Sequence, residues 1–146
     1  MSRETDFSQA FTIQFRDATL FNITHATKHE ELAPSDFPAF SLQLGRTYYH
    51  GLDNEGYLHL GSQEFTLRMF FKSSQLALDN ALSTRGTYIT FVESFISSGF
   101  IPPTFTGAEM YRITSTEITE VLPPEYDKLL TNHVITIRGR YNYVFV

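Results

Sequence analysis

Fourteen phenylalanines and eight tyrosines, with no tryptophan, crowd a chain of 146 residues. Aromatic side chains of this kind each bury on the order of 150–250 Å² when packed, so the chain has to fold around a core of rings. Phenylalanine and tyrosine are enriched in strands, which points to a core built on sheet. The length suits one domain and is enough to close a core without staples. Hydrophobic residues make up 42% and charged residues 18% of the sequence, which excludes wholesale disorder. Cysteine is absent. Disulfide frameworks, thiolate zinc sites and cysteine nucleophiles are therefore excluded together, and either redox environment is suitable.

Eleven basic and sixteen acidic residues give a net charge of −5. That balance argues against a protein that tracks the phosphates of a nucleic acid, which carries the opposite sign. The first residues, Met1-Ser-Arg-Glu-Thr-Asp-Phe-Ser8, hold no apolar leader segment. No uncharged apolar run nears the roughly 18 residues of a membrane span. We therefore expect no membrane partner, and a cytoplasmic location or that of an effector secreted without a cleavable signal.

Repeats, low-complexity tracts and linkers are missing, so one domain is expected over residues 1–146. Phe11-Thr-Ile-Gln-Phe15 alternates and reads as a strand, as does Thr19 to Ile23. Asn22 or Thr24 can cap a short helix through Leu32, stopped by Pro34. Arg46 to His50 reads as a strand, Leu52 to Gly56 as a turn and Tyr57 to Phe71 as mostly β. A helix is expected across Gln75 to Leu82, ended by Arg85-Gly86, followed by a strand from Thr87 to Glu93. Ser97 to Gly107 reads as a loop, Glu109 to Ile113 and Glu117 to Leu122 as strands, Tyr126 to Leu130 as a helical turn, and Val134 to Val146 as one or two strands. The fold class is α+β, heavy on sheet.

Four sets of residues can carry chemistry. His25 and His29 stand four apart, the spacing of zinc ligands on a helix, although Ala26 occupies the position a metalloprotease gives to glutamate. Gly51, Tyr57, His59 and Glu64 resemble part of the first metal motif of the cupins, with His133 as a distant further ligand. Arg138 and Arg140, alternating on a terminal strand, can grip a phosphate or carboxylate or simply face solvent.

The fourth set is the richest. Arg46-Thr-Tyr-Tyr-His50-Gly51 resembles the nicotinamide-binding motif of the ADP-ribosyltransferase superfamily, in the branch with a His-Tyr-Glu constellation. Met69 to Leu82 is similar to that family's strand end running into a helix. Arg85 to Glu93 is similar to the next strand of its short members, the rifamycin-modifying transferases among them. Phe105-Thr-Gly-Ala-Glu109-Met-Tyr-Arg-Ile113 resembles the segment that presents the catalytic glutamate. Leu52 stands where the family has threonine or serine, and Phe70 where its tyrosine falls.

The resemblance implies a fold of two small packed β-sheets with short helices. It also implies NAD as substrate, with ADP-ribose passed to a protein or small-molecule acceptor, or to water. Glu109 would stabilise the oxocarbenium-like ribose. His50 would hold the adenosine ribose, the backbone of Gly51 the nicotinamide amide, and Tyr49 and Phe70 would offer ring faces; no metal is needed. Beside this stands a different class: a non-catalytic β-rich binding module, such as a viral or phage accessory, immunity or structural protein, or a degenerate transferase fold. On that view His50 is a turn residue, Phe70 belongs to the core and Glu109 is a solvated carboxylate.

Overall fold

A computed structural model describes residues 2–72, 77–103, 111–126 and 132–146. Two helices, α1 (Arg3–Thr19) and α2 (Ala77–Ser94), accompany strands β1 (Asn22–Ile23), β2 (Ala39–Leu52), β3 (His59–Lys72), β4 (Tyr111–Val121), β5 (Glu125–Tyr126) and β6 (Asn132–Phe145). The strands form one sheet in the order β1-β2-β3-β6-β4, with β5 also on β6. All pairs are antiparallel except β1 with β2. The α+β class holds. The expected pair of small sheets does not: the described strands belong to a single sheet, and the helices are 17 and 18 residues long rather than short.

The N-terminal segment expected as strand is helix because its longer period is four. Phe7, Phe11 and Phe15 repeat on one helical face and all three are fully buried. Ser2 caps the helix by accepting from Thr5 N–H at 3.2 Å, and Glu4 and Asp6 favour the positive end of the helix dipole. Thr87 to Glu93, also expected as strand, lies inside α2, which runs past Gly86. Its apolar residues again keep helical spacing: Tyr88, Phe91 and Val92 turn toward the core, joined by Phe95 just past the helix end. A five-residue π-helical turn, Phe95–Gly99, follows, and Phe100 seals it. The helix expected between Asn22 and Leu32 is replaced by β1 and a single 3₁₀ turn, His29–Glu31. The helical turn expected from Tyr126 falls on β5 and then outside the described residues.

The centre of the sheet is the β3–β6 ladder, in unbroken register from His59 opposite Phe145 to Lys72 opposite Asn132. Each neighbouring strand departs from it twice. β2 carries an extra residue between Leu44 and Thr47 and another between Tyr49 and Gly51; β4 does so between Ile113 and Ser115 and between Ile118 and Glu120.

Alternation along this ladder separates two faces. Phe65, Leu67 and Met69 of β3 with Ile135, Ile137 and Tyr141 of β6 lie on the face that both helices cover. Phe7 stacks on Tyr141 with centroids 4.1 Å apart, and Phe11 lies 5.6 Å from Phe65 and 5.3 Å from Phe95. The helix is anchored by polar contacts at its start. Arg3 donates to the Tyr141 hydroxyl at 3.2 Å, Tyr141 donates to Gln63, and Gln63 donates to Glu4 at 2.9 Å. Further along α1, Gln14 makes a reciprocal pair of 2.8 Å bonds with the backbone of Ile101. The opposite face is covered only at one end among the described elements. There the segment before β2 lays Ala26, Leu32 and Phe37 over Ala39, Phe70 and Val134.

Candidate functional site

The residues expected to hold NAD do not converge. His50 and Gly51 sit near the end of β2, where His50 is the extra residue of a bulge and Gly51 takes φ 88°, a left-handed conformation open to glycine. The His-Gly pair thus has a local role: it bends the strand. The His50 ring turns to the uncovered face and shares a 2.7 Å hydrogen bond with Ser62 Oγ. Tyr49 belongs to the other face, opposite Gly61, with its ring 6.1 Å from that of Phe145. Phe70 is eight residues beyond Ser62 on β3, about 27 Å away for an extended strand. It is fully buried under the 24–38 segment. Glu109 lies outside the described residues.

The metal constellations separate as well. His59 and Glu64 are five apart on one strand and therefore on opposite faces. His59 stacks on Phe145 at 5.0 Å, while Glu64 accepts from the Tyr48 hydroxyl at 3.2 Å on the uncovered side. His133 is buried and stacked on Phe71 at 5.1 Å, and desolvation holds its imidazole below the usual range. His25 and His29 are not on a common α-helix. Among the described residues no three histidine or acidic side chains come together as a metal would require.

The sheet does gather another set of side chains, on its uncovered face. Arg46, Arg68, Arg112, Arg138 and Arg140 share it with Glu64, Glu117 and Glu120. Arg140 Nε donates to Glu117 at 2.7 Å and Arg138 to Glu120 at 2.8 Å. Arg68 donates to the Gln43 side chain at 2.6 Å, and Asn142 donates to Glu117 at 3.0 Å. The hydrogen bonds from Arg140 and Asn142 hold the Glu117 carboxyl below the usual carboxylate range. Arg46 and Arg112 are different. Both are exposed, and neither makes a hydrogen bond or ion pair among the described residues; of the two, Arg46 stands beside a hollow. It borders a depression of about 380 Å³ lined by Gly45, Glu64, Thr66, Thr119 and Arg138. Of the two guanidinium groups around the hollow Arg138 already holds Glu120, and Glu64 adds a carboxylate, so Arg46 with the two hydroxyls is what can take a further carboxylate or another small anion.

No family model and no curated protein sequence matches the chain.

Two of the five arginines of this face, Arg138 and Arg140, were visible as an alternating pair. Arg46 was not, because simple alternation does not say that the bulge at Gly45-Arg46 brings it opposite Glu64. No described helix is long and apolar enough to cross a membrane.

Proposed function

We propose that this protein is a non-catalytic binding module that receives an acidic surface on the uncovered face of its sheet. The observation that carries the reading is the division of charge. By register the face holds five arginines and Lys72 against Glu64, Glu117, Glu120 and Glu125, six basic against four acidic. The whole chain has eleven basic and sixteen acidic residues, so everything else holds five against twelve. A positive face on an acidic protein favours partners of the opposite sign and speeds their encounter. The dispersal of His50, Tyr49 and Phe70 supports a binding role over NAD cleavage, since a nicotinamide pocket needs those side chains within one ligand's reach.

Calorimetric titration with NAD, with nicotinamide release followed in parallel, tests the choice. We expect neither saturable binding at millimolar NAD nor release. Release that Glu109→Gln abolishes would restore ADP-ribosyl transfer and remove the binding-module reading.

A further inference from the structure

The acidic surface that suits this face is present on the chain itself. Strands β2 and β3 are joined by a turn, Asp53 to Leu58, that stands at the end of the sheet and is closed by its own hydrogen bonds. Asp53 N–H donates to Leu58 O at 2.7 Å, Gly56 N–H to Asp53 O at 3.0 Å, and Tyr57 N–H to Asp53 Oδ1 at 3.0 Å. Gly56 takes φ 76°, as such a turn requires. Desolvation pushes the Asp53 carboxyl up, but the backbone N–H groups of Tyr57, Leu58, Gly56 and Glu55 outweigh it and hold the group ionised below its usual range.

The turn is therefore a projection already ordered before contact, which lowers the entropic cost of docking. It presents the exposed Glu55 and, flanking it, Leu52 and Tyr57, which are 53% and 77% exposed. From Thr47 to Gln63 the hairpin carries two carboxylates and no arginine or lysine. The hollow beside Arg46 offers room for a side chain and is bordered by two arginines. Arg138 is already paired with Glu120 at 2.8 Å, and Arg46 is without a partner among the described residues. The Glu64 carboxylate, which accepts from the Tyr48 hydroxyl, also lines the hollow, so Arg46 is the cation left for an incoming carboxylate.

We infer that the partner of the uncovered face is a second copy of this chain, whose Asp53–Leu58 turn places Glu55 in the hollow between Arg46 and Arg138. The inference rests on the binding-module reading and names the partner. A chain does not fill its own hollow. Arg46 and Leu52 lie six residues apart on the same extended strand, about 20 Å, and the turn continues away from the hollow. The contact joins different patches of two copies, so it is head-to-tail, and repetition builds a ring or an open string. Leu52 and Tyr57 supply apolar contact area, and the carboxylate supplies register and salt sensitivity.

Sedimentation velocity of the full chain over a concentration series, at low and at high ionic strength, tests this. We expect reversible association that weakens as salt rises. Two variants divide the contact: Glu55→Lys with Tyr57→Ser on the turn, and Arg46→Glu in the hollow. All three positions are exposed, so both variants should keep the wild-type circular dichroism and melting temperature. Each variant alone should associate at least tenfold more weakly. Mixed in equal amounts they should form a two-chain species and nothing larger, because one retains only a working hollow and the other only a working turn.

A wild-type chain that stays monomeric at low salt and high concentration overturns the assignment. So does association that neither variant weakens, or a mixture that does not pair. None of these outcomes restores the transferase, which stands or falls on nicotinamide release from the same preparation.

Discussion

The two faces of this sheet share every strand yet solve different problems. On the covered face, one residue in two is a ring or branched aliphatic side chain packed against α1 and α2; Phe65, Leu67, Met69, Ile135, Ile137 and Tyr141 are at most 1% exposed. On the other, away from the end that the 24–38 segment covers, the intervening residues are mainly arginine, glutamate, glutamine, serine, threonine and asparagine, joined in rows such as Gln43–Arg68 and Arg140–Glu117–Asn142. Burial of apolar area is worth roughly 25 cal/mol per Å², whereas exposed ion pairs contribute about 0–1 kcal/mol. The covered face should therefore set stability, and the uncovered face should be free to change with little effect on folding.

The sharpest way to break that contrast is Phe11→Ala. Phe11 is fully buried and touches Phe7, Phe15, Phe65, Phe95 and Phe100. Its truncation is expected to cost about 3–5 kcal/mol in chemical denaturation; a loss below about 1 kcal/mol would mean that the helix does not organise the core.

A pair of glycine substitutions comes next. A Cβ on Gly139 would sit 2.5 Å from Phe65 Cζ and 2.6 Å from the Glu117 carbonyl oxygen, and that backbone atom cannot swing aside. Gly139→Ala should cost about 1–3 kcal/mol. Gly45→Ala, beside the hollow, meets nothing nearer than Glu64 Cβ at 3.4 Å and should stay within about 0.5 kcal/mol of wild type. Equal melting temperatures for the two variants would erase the distinction between the faces.

Acid should find the covered face first. Because burial depresses the His133 imidazole in the fold, the unfolded chain takes up the proton earlier as pH falls past about 6.5. Stability is thus complete above that pH and declines below it. His133→Gln should flatten the slope of unfolding free energy between about pH 7 and 5 relative to wild type; an unchanged slope would assign the loss to other groups. The depressed Glu117 carboxyl acts lower, its contribution present above the ordinary carboxylate pKa and lost as pH falls through its own.

The smallest effect belongs to Arg140 and Glu117 themselves. A double-mutant cycle with Arg140→Ala and Glu117→Ala should give a coupling of no more than about 1 kcal/mol, shrinking with added salt. A coupling of several kcal/mol would make the uncovered face a structural element in its own right.

The long strands were legible because alternation over Tyr57 to Phe71 and from Val134 onward is the direct signature of a sheet with two unlike faces. The helices were not. Thr12, Ile13, Thr87, Ile89 and Val92 favour strands by composition, and five-residue windows of apolar-polar alternation hid the four-residue recurrence of Phe7, Phe11 and Phe15. Tertiary packing of that ring stripe on Phe65 and Tyr141 prevailed over local preference. The number of sheets depended on pairings as distant as β3 with β6, which no local pattern encodes. The candidate site shows the same limit. His50 and Phe70 follow one another in a familiar order along the chain, but order along a strand says nothing of the about 27 Å between them. Arg138 and Arg140 could be placed together from sequence because two residues of one strand two apart share a face; Arg46 joined them only through a bulge.

Those bulges have a consequence for life at high protein concentration. A straight outer strand offers a row of free donors and acceptors on which another chain can template, the route to fibrils. Here the two strands flanking the β3–β6 ladder are each interrupted twice, at Gly45-Arg46 and His50 on one side and at Thr114 and Thr119 on the other. Copies crowded together cannot extend the sheet in register through them. Interruptions that look like irregularities of pairing act as guards against amyloid-like growth, leaving side-chain contacts as the way one copy meets the next.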